Sequence, residues 1–460
     1  MFPTAFVAQM QGQLGTTEYE DFLNAFALPI PVSVRRNSLK LKNLEENYDG
    51  VKWNKEGVYL PDRPIFTLDP RLHGGAYYVQ EASSMLLWAV LEQTVDLAAP
   101  LKVLDLAAAP GGKSTLLVAA LSAESLLISN EVIKTRYQIL RENLGKWGYP
   151  NVVCTNQDSR EFAPLQGQFD LVLLDAPCSG EGLFRKDPTA MKEWSPEHVQ
   201  FCAARQRRIL AEASPLLKPG GILIYCTCTY NDFENALNVE WSQDNLDLVP
   251  LSLTFPSEWG IQAREFGYQC YPHRVKGEGF FITAFRQEKK HPLLKASPAK
   301  GFWKIGNRKN TPGLETWLDP GFSYLALESP HGELAALPKA CESFFMELSP
   351  SLRRWDPILE LGTFKHQDFI PAPTLALSTV VHPKLPNQSL DLSTALKYLR
   401  KDVFELTDVP NGWSLVNFEN INLGWIKSIK GRINNYYPKE WRIRMATPNA
   451  PNPEPKSSPD

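Results

Sequence analysis

Between residues 101 and 230, short apolar runs alternate with amphipathic stretches, and each run ends on an acid, an amide or a thiol. Residues 101–106 close on Asp105, residues 126–129 on Asn130 and Glu131, and residues 152–155 lead to Asp158. Residues 169–174 run into Asp175-Ala176-Pro177-Cys178, and the run after Gly220-Gly221 ends at Cys226-Thr227-Cys228. After the second run, Ile133, Tyr137, Leu140, Leu144 and Trp147 recur at helical steps and stop at Gly148. Ser195-Pro196 opens a longer helix before the fifth run. Strands and helices in alternation argue for an α/β fold, a Rossmann-like, doubly wound parallel sheet.

In such a sheet, ligands and reacting groups gather beyond the carboxyl ends of the strands. Asp175, Cys178 and Cys228 are therefore expected in one crevice. The competing explanation is that both thiols are small buried hydrophobes, which is what most free cysteines are. The neighbouring Asp and Pro at the strand ends count against it, since a packing cysteine has no need of them.

A chain of 460 residues is too long for one core, so several domains are expected. Residues 1–62 read as an amino-terminal unit: a helix over 19–28, then a cation-bearing strand over 32–40. In that strand Arg35 and Lys40 are candidates for RNA phosphate contacts, with Asn37 as a hydrogen-bonding partner, unless it is merely a solvated edge. Residues 77–84 lead into an apolar helix over 85–91, with Ser83 or Ser84 as its cap. Residues 63–288 form the α/β core, closed by a strand over 279–285. Residues 289–385 are expected to hold a basic linker and an intermediate domain, and 386–445 a small β module. Residues 446–460, rich in Pro, Asn and Ser, read as a disordered tail.

Net charge is −3, so the whole chain is not a basic nucleic-acid binder and any RNA contact must rest on local patches. One such patch is residues 289–310, with seven cations and no acid; another is 421–444, with six cations against Glu440. In the second, Lys427, Lys430 and Arg432 are interleaved with Trp425, Tyr436 and Tyr437, a pattern suited to phosphate contact and base stacking. A solvated basic face is the commoner cause of such runs. Seven scattered cysteines fit a reducing cytoplasm, and no His or Cys spacing suggests a metal. The amino terminus carries no signal-peptide pattern, and no apolar run is long enough to span a membrane.

Residues 105–115 turn the first strand into a helix and contain Gly112-Lys113-Ser114. A P-loop needs glycine where Ala107 stands, so the phosphate cradle would lose its first turn. The dinucleotide fingerprint is absent as well. What is left is a glycine-bearing turn that a ligand can approach closely, an acid (Glu131) placed for a ribose diol, and Asp158 for an adenine amino group. A nucleoside cofactor without a pyrophosphate fits, and S-adenosyl-L-methionine is such a molecule.

Together these motifs resemble the Sun-type (Nop/Nol/Sun) RNA cytosine-5 methyltransferases, in particular their bacterial RsmF-like ribosomal-RNA branch. Asp105 to Lys113 is similar to the family's cofactor loop, Asp175-Ala176-Pro177-Cys178 to its DAPC motif, and Thr227-Cys228 to its TC motif. Arg35, Asn37 and Lys40 match the amino-terminal RxNxxK element, and residues 78–84, 272–274 and 279–281 match further elements. Glu81 stands where aspartate is common. The resemblance covers roughly residues 20–286, and the carboxyl-terminal module is more loosely similar to a PUA-like RNA-binding end.

The resemblance implies an S-adenosyl-L-methionine-dependent methyltransferase core, flanked by a small amino-terminal RNA-binding domain and carboxyl-terminal PUA-like β modules. It implies cofactor contacts from Ala107, Ala108, Ala109, Pro110, Gly111, Gly112, Lys113, Glu131, Asp158 and Asp175. It implies Cys228 as the nucleophile, Asp175 on the cytosine ring and Cys178 in product release, where DNA cytosine-5 methyltransferases attack with the Pro-Cys thiol instead. Lys113 could meet the cofactor carboxylate, a nucleotide phosphate or solvent. The partner implied is ribosomal RNA or the small ribosomal subunit, met in the cytoplasm by a monomer. The alternatives are a tRNA cytosine-5 methyltransferase and an RNA-binding assembly factor whose catalysis is incidental.

Overall fold

The computed structural model describes residues 2–42, 48–292, 303–306 and 313–445, without the side chain of Pro188. The tail over 446–460 and most of the basic stretch over 289–310 lie outside the described residues.

Apolar residues at helical steps fold α1 (Thr4–Ala27), which is kinked where Gly15 takes φ 71°. The helix begins fifteen residues before the span the sequence suggested, because Phe6 and Met10 bury against Phe184, Trp194 and Tyr230 of the core. A small sheet follows, with β1 (Val32–Arg36) central between β2 (Gly57–Leu60) and β3 (Tyr77–Val79), both antiparallel to it. Since β3 pairs with β1, the expected boundary at residue 62 falls inside this unit. A short α2 (Pro70–His73) precedes β3, and α3 (Leu87–Thr94) follows it. Neither Ser83 nor Ser84 caps the turn before α3; the Glu81 carboxylate accepts both of their backbone N–H groups instead, at 2.8 and 3.0 Å.

The core strands are β4 (Lys102–Asp105), β5 (Leu126–Asn130), β6 (Val152–Thr155), β7 (Phe169–Asp175) and β8 (Leu217–Thr227). They are parallel in the order β6-β5-β4-β7-β8. Helices α4 (Gly112–Ala120), α5 (Lys134–Trp147), α6 (Pro188–Glu193), α7 (Pro196–Ala213) and α8 (Ala236–Leu246) connect them or follow them. Beyond β8 the sheet continues antiparallel through β9 (Leu248–Pro250), β10 (Gln262–Arg264), β11 (Gly267–Cys270) and β12 (Phe280–Gln287). Nearly every residue of the central strands is buried, so the sheet has an apolar layer on each face, as both-face helical cover requires.

Residues 304–305 and the region over 313–381 build a five-stranded antiparallel sheet. Its strands are β13 (Lys304–Ile305), β14 (Tyr324–Glu328), β15 (Glu333–Pro338), β17 (Glu360–Lys365) and β18 (Asp368–Pro371). The intervening β16 (Trp355–Pro357) leaves that sheet and adds antiparallel to β6, the far edge of the catalytic sheet. Arg141 of α5 pairs there with Glu360 and lies 3.7 Å from Asp356. The last module is the four-stranded sheet β19 (Asn387–Ser389), β20 (Gly412–Phe418), β21 (Ile421–Ile429) and β22 (Arg432–Asn435). Among the described residues no helix is long and apolar enough to cross a membrane.

Candidate active site

At the carboxyl ends of the parallel strands lies a cavity of about 380 Å³. Ala107 and Ala109 line it after β4, Asn130 at the end of β5 and Glu131 after it, Asp158 after β6, Asp175 at the end of β7 and Cys178 after it, and Cys228 after β8. Ala107 and Cys228, 121 positions apart in sequence, therefore share one wall, because each of these residues closes or follows a parallel strand. Arg136, Arg205 and Arg208 complete the lining on the helical side.

Cys178 and Cys228 face each other with Sγ atoms 3.1 Å apart, and the Cys228 N–H donates to Cys178 Sγ at 3.3 Å. The neighbouring Cys228 thiol, together with burial, pushes the pKa of Cys178 well above the usual thiol range, so Cys178 holds its proton. Lys113 Nζ donates to Asp175 Oδ2 at 2.8 Å and lies 5.2 Å from the ring centre of Phe280. Burial opposes its charge, but the adjoining Asp175 carboxylate outweighs this and raises its pKa. Cys226, one strand residue before Thr227, reaches Asp175 Oδ1 at 3.5 Å. Burial and Asp175 together keep it a neutral thiol. Below them Asp105 is fully buried, accepts from Ser114 Oγ at 2.6 Å, and is pushed up to about 7 by burial.

The turn after β4 is only partly as expected. Ala108 packs into the core, and Pro110, Gly111 and Gly112 do not line the crevice. Gly111 takes φ 114°, and a Cβ on Gly112 would meet the Tyr78 ring at 3.3 Å, so these glycines serve the turn and the packing of the amino-terminal sheet. Glu131 accepts from the Ile133 N–H at 2.8 Å and lies 3.5 Å from Arg136. Asp158 caps the following turn through Arg160 N at 3.1 Å while still lining the cavity.

The RNA contacts expected from β1 are not available. Arg35 is fully buried, donating to Gln80 Oε1 at 2.9 Å and Thr115 Oγ1 at 2.6 Å, with its guanidinium 4.6 Å from the Trp147 ring centre. Asn37 donates to the carbonyls of Gly75 and Trp147 at 3.0 and 2.9 Å. Lys40 donates to the carbonyls of Gly74 and Lys146 at 2.9 and 2.5 Å. Asn37 and Lys40 thus satisfy carbonyls at the carboxyl end of α5, where the helix dipole favours donors and cations, while Arg35 ties the small sheet to α4 through Thr115. In the last module Lys427 is also engaged, 5.2 Å over Trp413 and 3.9 Å from Asp368; Lys430 and Arg432 are exposed.

Sequence reading missed the carboxylates that hold the two cysteine loops. Glu181 is fully buried and accepts from Tyr230 N at 2.8 Å, Asn231 N at 2.9 Å, Trp194 Nε1 at 3.0 Å and Gln9 Nε2 at 3.2 Å. Glu234 accepts from Ser179 N at 3.0 Å and Gln206 Nε2 at 2.7 Å. The available signal was position: Glu181 follows Cys178 by three residues, and Asn231 precedes Glu234 by three in a capping pattern.

A parallel sheet of this strand order, with its crevice at the strand ends and small residues after the first strand, together with the family it matches, defines the chain as an α/β methyltransferase. Residues 93–286 match the family described as 16S rRNA methyltransferase RsmB/F, residues 2–82 the N-terminal domain of 16S rRNA methyltransferase RsmF, and residues 386–443 the methyltransferase RsmF PUA domain. A ribosomal RNA small subunit methyltransferase F from Escherichia coli strain UMN026 is 37% identical over 330 residues, 68% of each chain. A methyltransferase homolog protein from Pyrococcus horikoshii is 30% identical, with a TM-score of 0.54 over 62% of this chain and 95% of that one. NSun6 from Pyrococcus horikoshii, solved with SFG, shares the fold at 21% identity and a TM-score of 0.53, over 63% and 99% of the two chains. The chain belongs to the RsmB/F family of 16S rRNA methyltransferases. Its methyl donor is S-adenosyl-L-methionine, and the crevice fits that molecule: small residues at the turn, a buried acid at the end of β5 and a second acid after β6.

Proposed function

We propose that the protein transfers the methyl group of S-adenosyl-L-methionine to carbon 5 of cytosine in small-subunit ribosomal RNA through a covalent Cys228–cytosine adduct. It acts in the cytoplasm as a monomer. The observation that carries this reading is the pair of facing thiols beside the Lys113–Asp175 ion pair.

Carbon 5 of cytosine is a poor nucleophile. When the Cys228 sulfur, having lost its proton, bonds to carbon 6, the ring becomes enamine-like and carbon 5 can attack an electrophile. The cofactor supplies that electrophile, a methyl on a sulfonium. The proton given up by Cys228 passes to nitrogen 3 as the adduct forms, Asp175 accepts the resulting N3–H, and the Lys113 ammonium fixes that carboxylate. Loss of the carbon-5 proton then lets the carbon–sulfur bond break, restoring the aromatic ring and the Cys228 thiol. Cys178 assists that release, a role supported by its contact with Cys228 and by the proton it retains. The target base must leave its stack to be reached from both faces.

The test is a denaturing gel of wild type, Cys178→Ala and Cys228→Ala, each incubated with the cofactor and small-subunit RNA. A slow-migrating adduct with Cys178→Ala alone is the expected result. An adduct with Cys228→Ala alone would exchange the two roles, and none in any sample would refute the covalent route on this RNA.

A further inference from the structure

The outer face of α7 presents Phe201, Arg205 and Arg208 at steps of four and three, which places them in one stripe along the helix. Phe201 is 67% exposed, a large aromatic area left in water one turn from the crevice. Of the three arginines lining the crevice, Arg136 lies against Glu131 at 3.5 Å, and Arg208 lies 3.3 Å from Glu212 and 4.0 Å from Asp158. Arg205 is exposed and makes no hydrogen bond or ion pair to the described residues. Its helix is firmly seated: Gln206, the next residue, donates to Pro177 O at 3.0 Å and to Glu234 at 2.7 Å, beside Cys178.

We infer that α7 carries the single-stranded RNA adjoining the target cytosine, with a backbone phosphate on Arg205 and the neighbouring base on Phe201. The inference rests on the reaction proposed above. A cytosine drawn into the crevice leaves its neighbour with a bare face, and the strand that connects them must cross the crevice rim. That rim offers an unpaired guanidinium and, about 6 Å further along the helix axis, an aromatic ring. A guanidinium without a carboxylate complements a phosphate, and an exposed ring replaces a lost stacking partner. The chain is acidic overall, so RNA must be held by local cations such as this one.

The test measures binding of a fluorescein-labelled, 20-nucleotide single-stranded RNA to the full chain across a salt series, alongside cofactor binding by calorimetry and methyl transfer to small-subunit RNA. Phe201→Ala and Arg205→Ala are each expected to weaken RNA binding about tenfold. Both should raise KM for RNA, and Phe201→Ala, whose side chain lies off the crevice lining, should leave cofactor affinity and kcat as in wild type. Phe201→Trp should restore binding, and Arg205→Ala should lower the salt slope by about 0.7. Unchanged RNA binding in both alanine variants, or no binding by wild type, overturns the inference. So does loss of cofactor binding with Arg205→Ala, which would assign that residue to the cofactor. If wild type transfers no methyl to small-subunit RNA while the variants still lose the oligonucleotide, the reaction is wrong and the RNA track stands.

Discussion

Replacing Arg35 with methionine distinguishes an internal clamp from a phosphate contact. The guanidinium donates to Gln80 Oε1 at 2.9 Å, Thr115 Oγ1 at 2.6 Å and Gly112 O at 3.3 Å. Hydrogen bonds from a charged donor contribute about 1.5–3 kcal/mol each. Burial works against the cation, bringing its pKa down to about 10, and Nη1 has no hydrogen-bond partner among the described residues, so part of that gain is offset. Methionine fills most of the space and removes the buried charge, but it strands the Gln80 amide oxygen. Thr115 keeps its own bond to Gly112 O at 3.0 Å, which limits the damage. The net loss is on the order of 2–3 kcal/mol. Urea unfolding followed by circular dichroism, without RNA, should show the first transition at lower denaturant in Arg35→Met than in wild type. An unchanged midpoint combined with weakened RNA binding would refute the clamp and return Arg35 to the role its sequence context suggested.

Two further outcomes are expected. Glu181→Gln puts an amide donor against a cluster of N–H donors, and should lower kcat by about ten- to a hundredfold through displacement of the Cys228 loop, leaving cofactor affinity near wild type; equal kcat would remove Glu181 from that role. Glu18 of α1 is held at a pKa of about 2, mainly by the hydrogen bond from Arg274, with a second bond at 2.9 Å from His273 Nε2. A depressed carboxylate contributes stability above its ordinary pKa near 4.5 and loses it as pH falls toward 2. Glu18→Gln should therefore be less stable by about 1 kcal/mol at pH 7, with the gap closing between pH 5 and pH 2; a gap independent of pH would contradict the ion pair.

The catalytic crevice was legible because strand-end chemistry is local: Glu131, Asp158, Asp175, Cys178 and Cys228 each follow an apolar run that announces its own direction. The amino-terminal cations were misread for the opposite reason. Arg35, Asn37 and Lys40 look like a solvated face until α5 ends against them, and its carbonyls come from residues more than a hundred positions away. Glu181 hid similarly, since its donors come from three separate stretches of chain. Strand β16 gave no signal, as three residues between irregular segments carry no periodicity.

That short strand also fixes where the carboxyl-terminal modules stand relative to the crevice. Because β16 is laddered onto β6 at the far edge of the catalytic sheet, and Trp425 of the last module donates to Ala372 O at 2.8 Å, the carboxyl-terminal half is joined by hydrogen bonds in place of a swinging tether. The distance from the facing thiols Cys178 and Cys228 to the exposed Lys430 and Arg432 is then a property of the fold. An RNA would be selected by the three-dimensional separation of two of its segments, as a caliper selects by span, before any base is read.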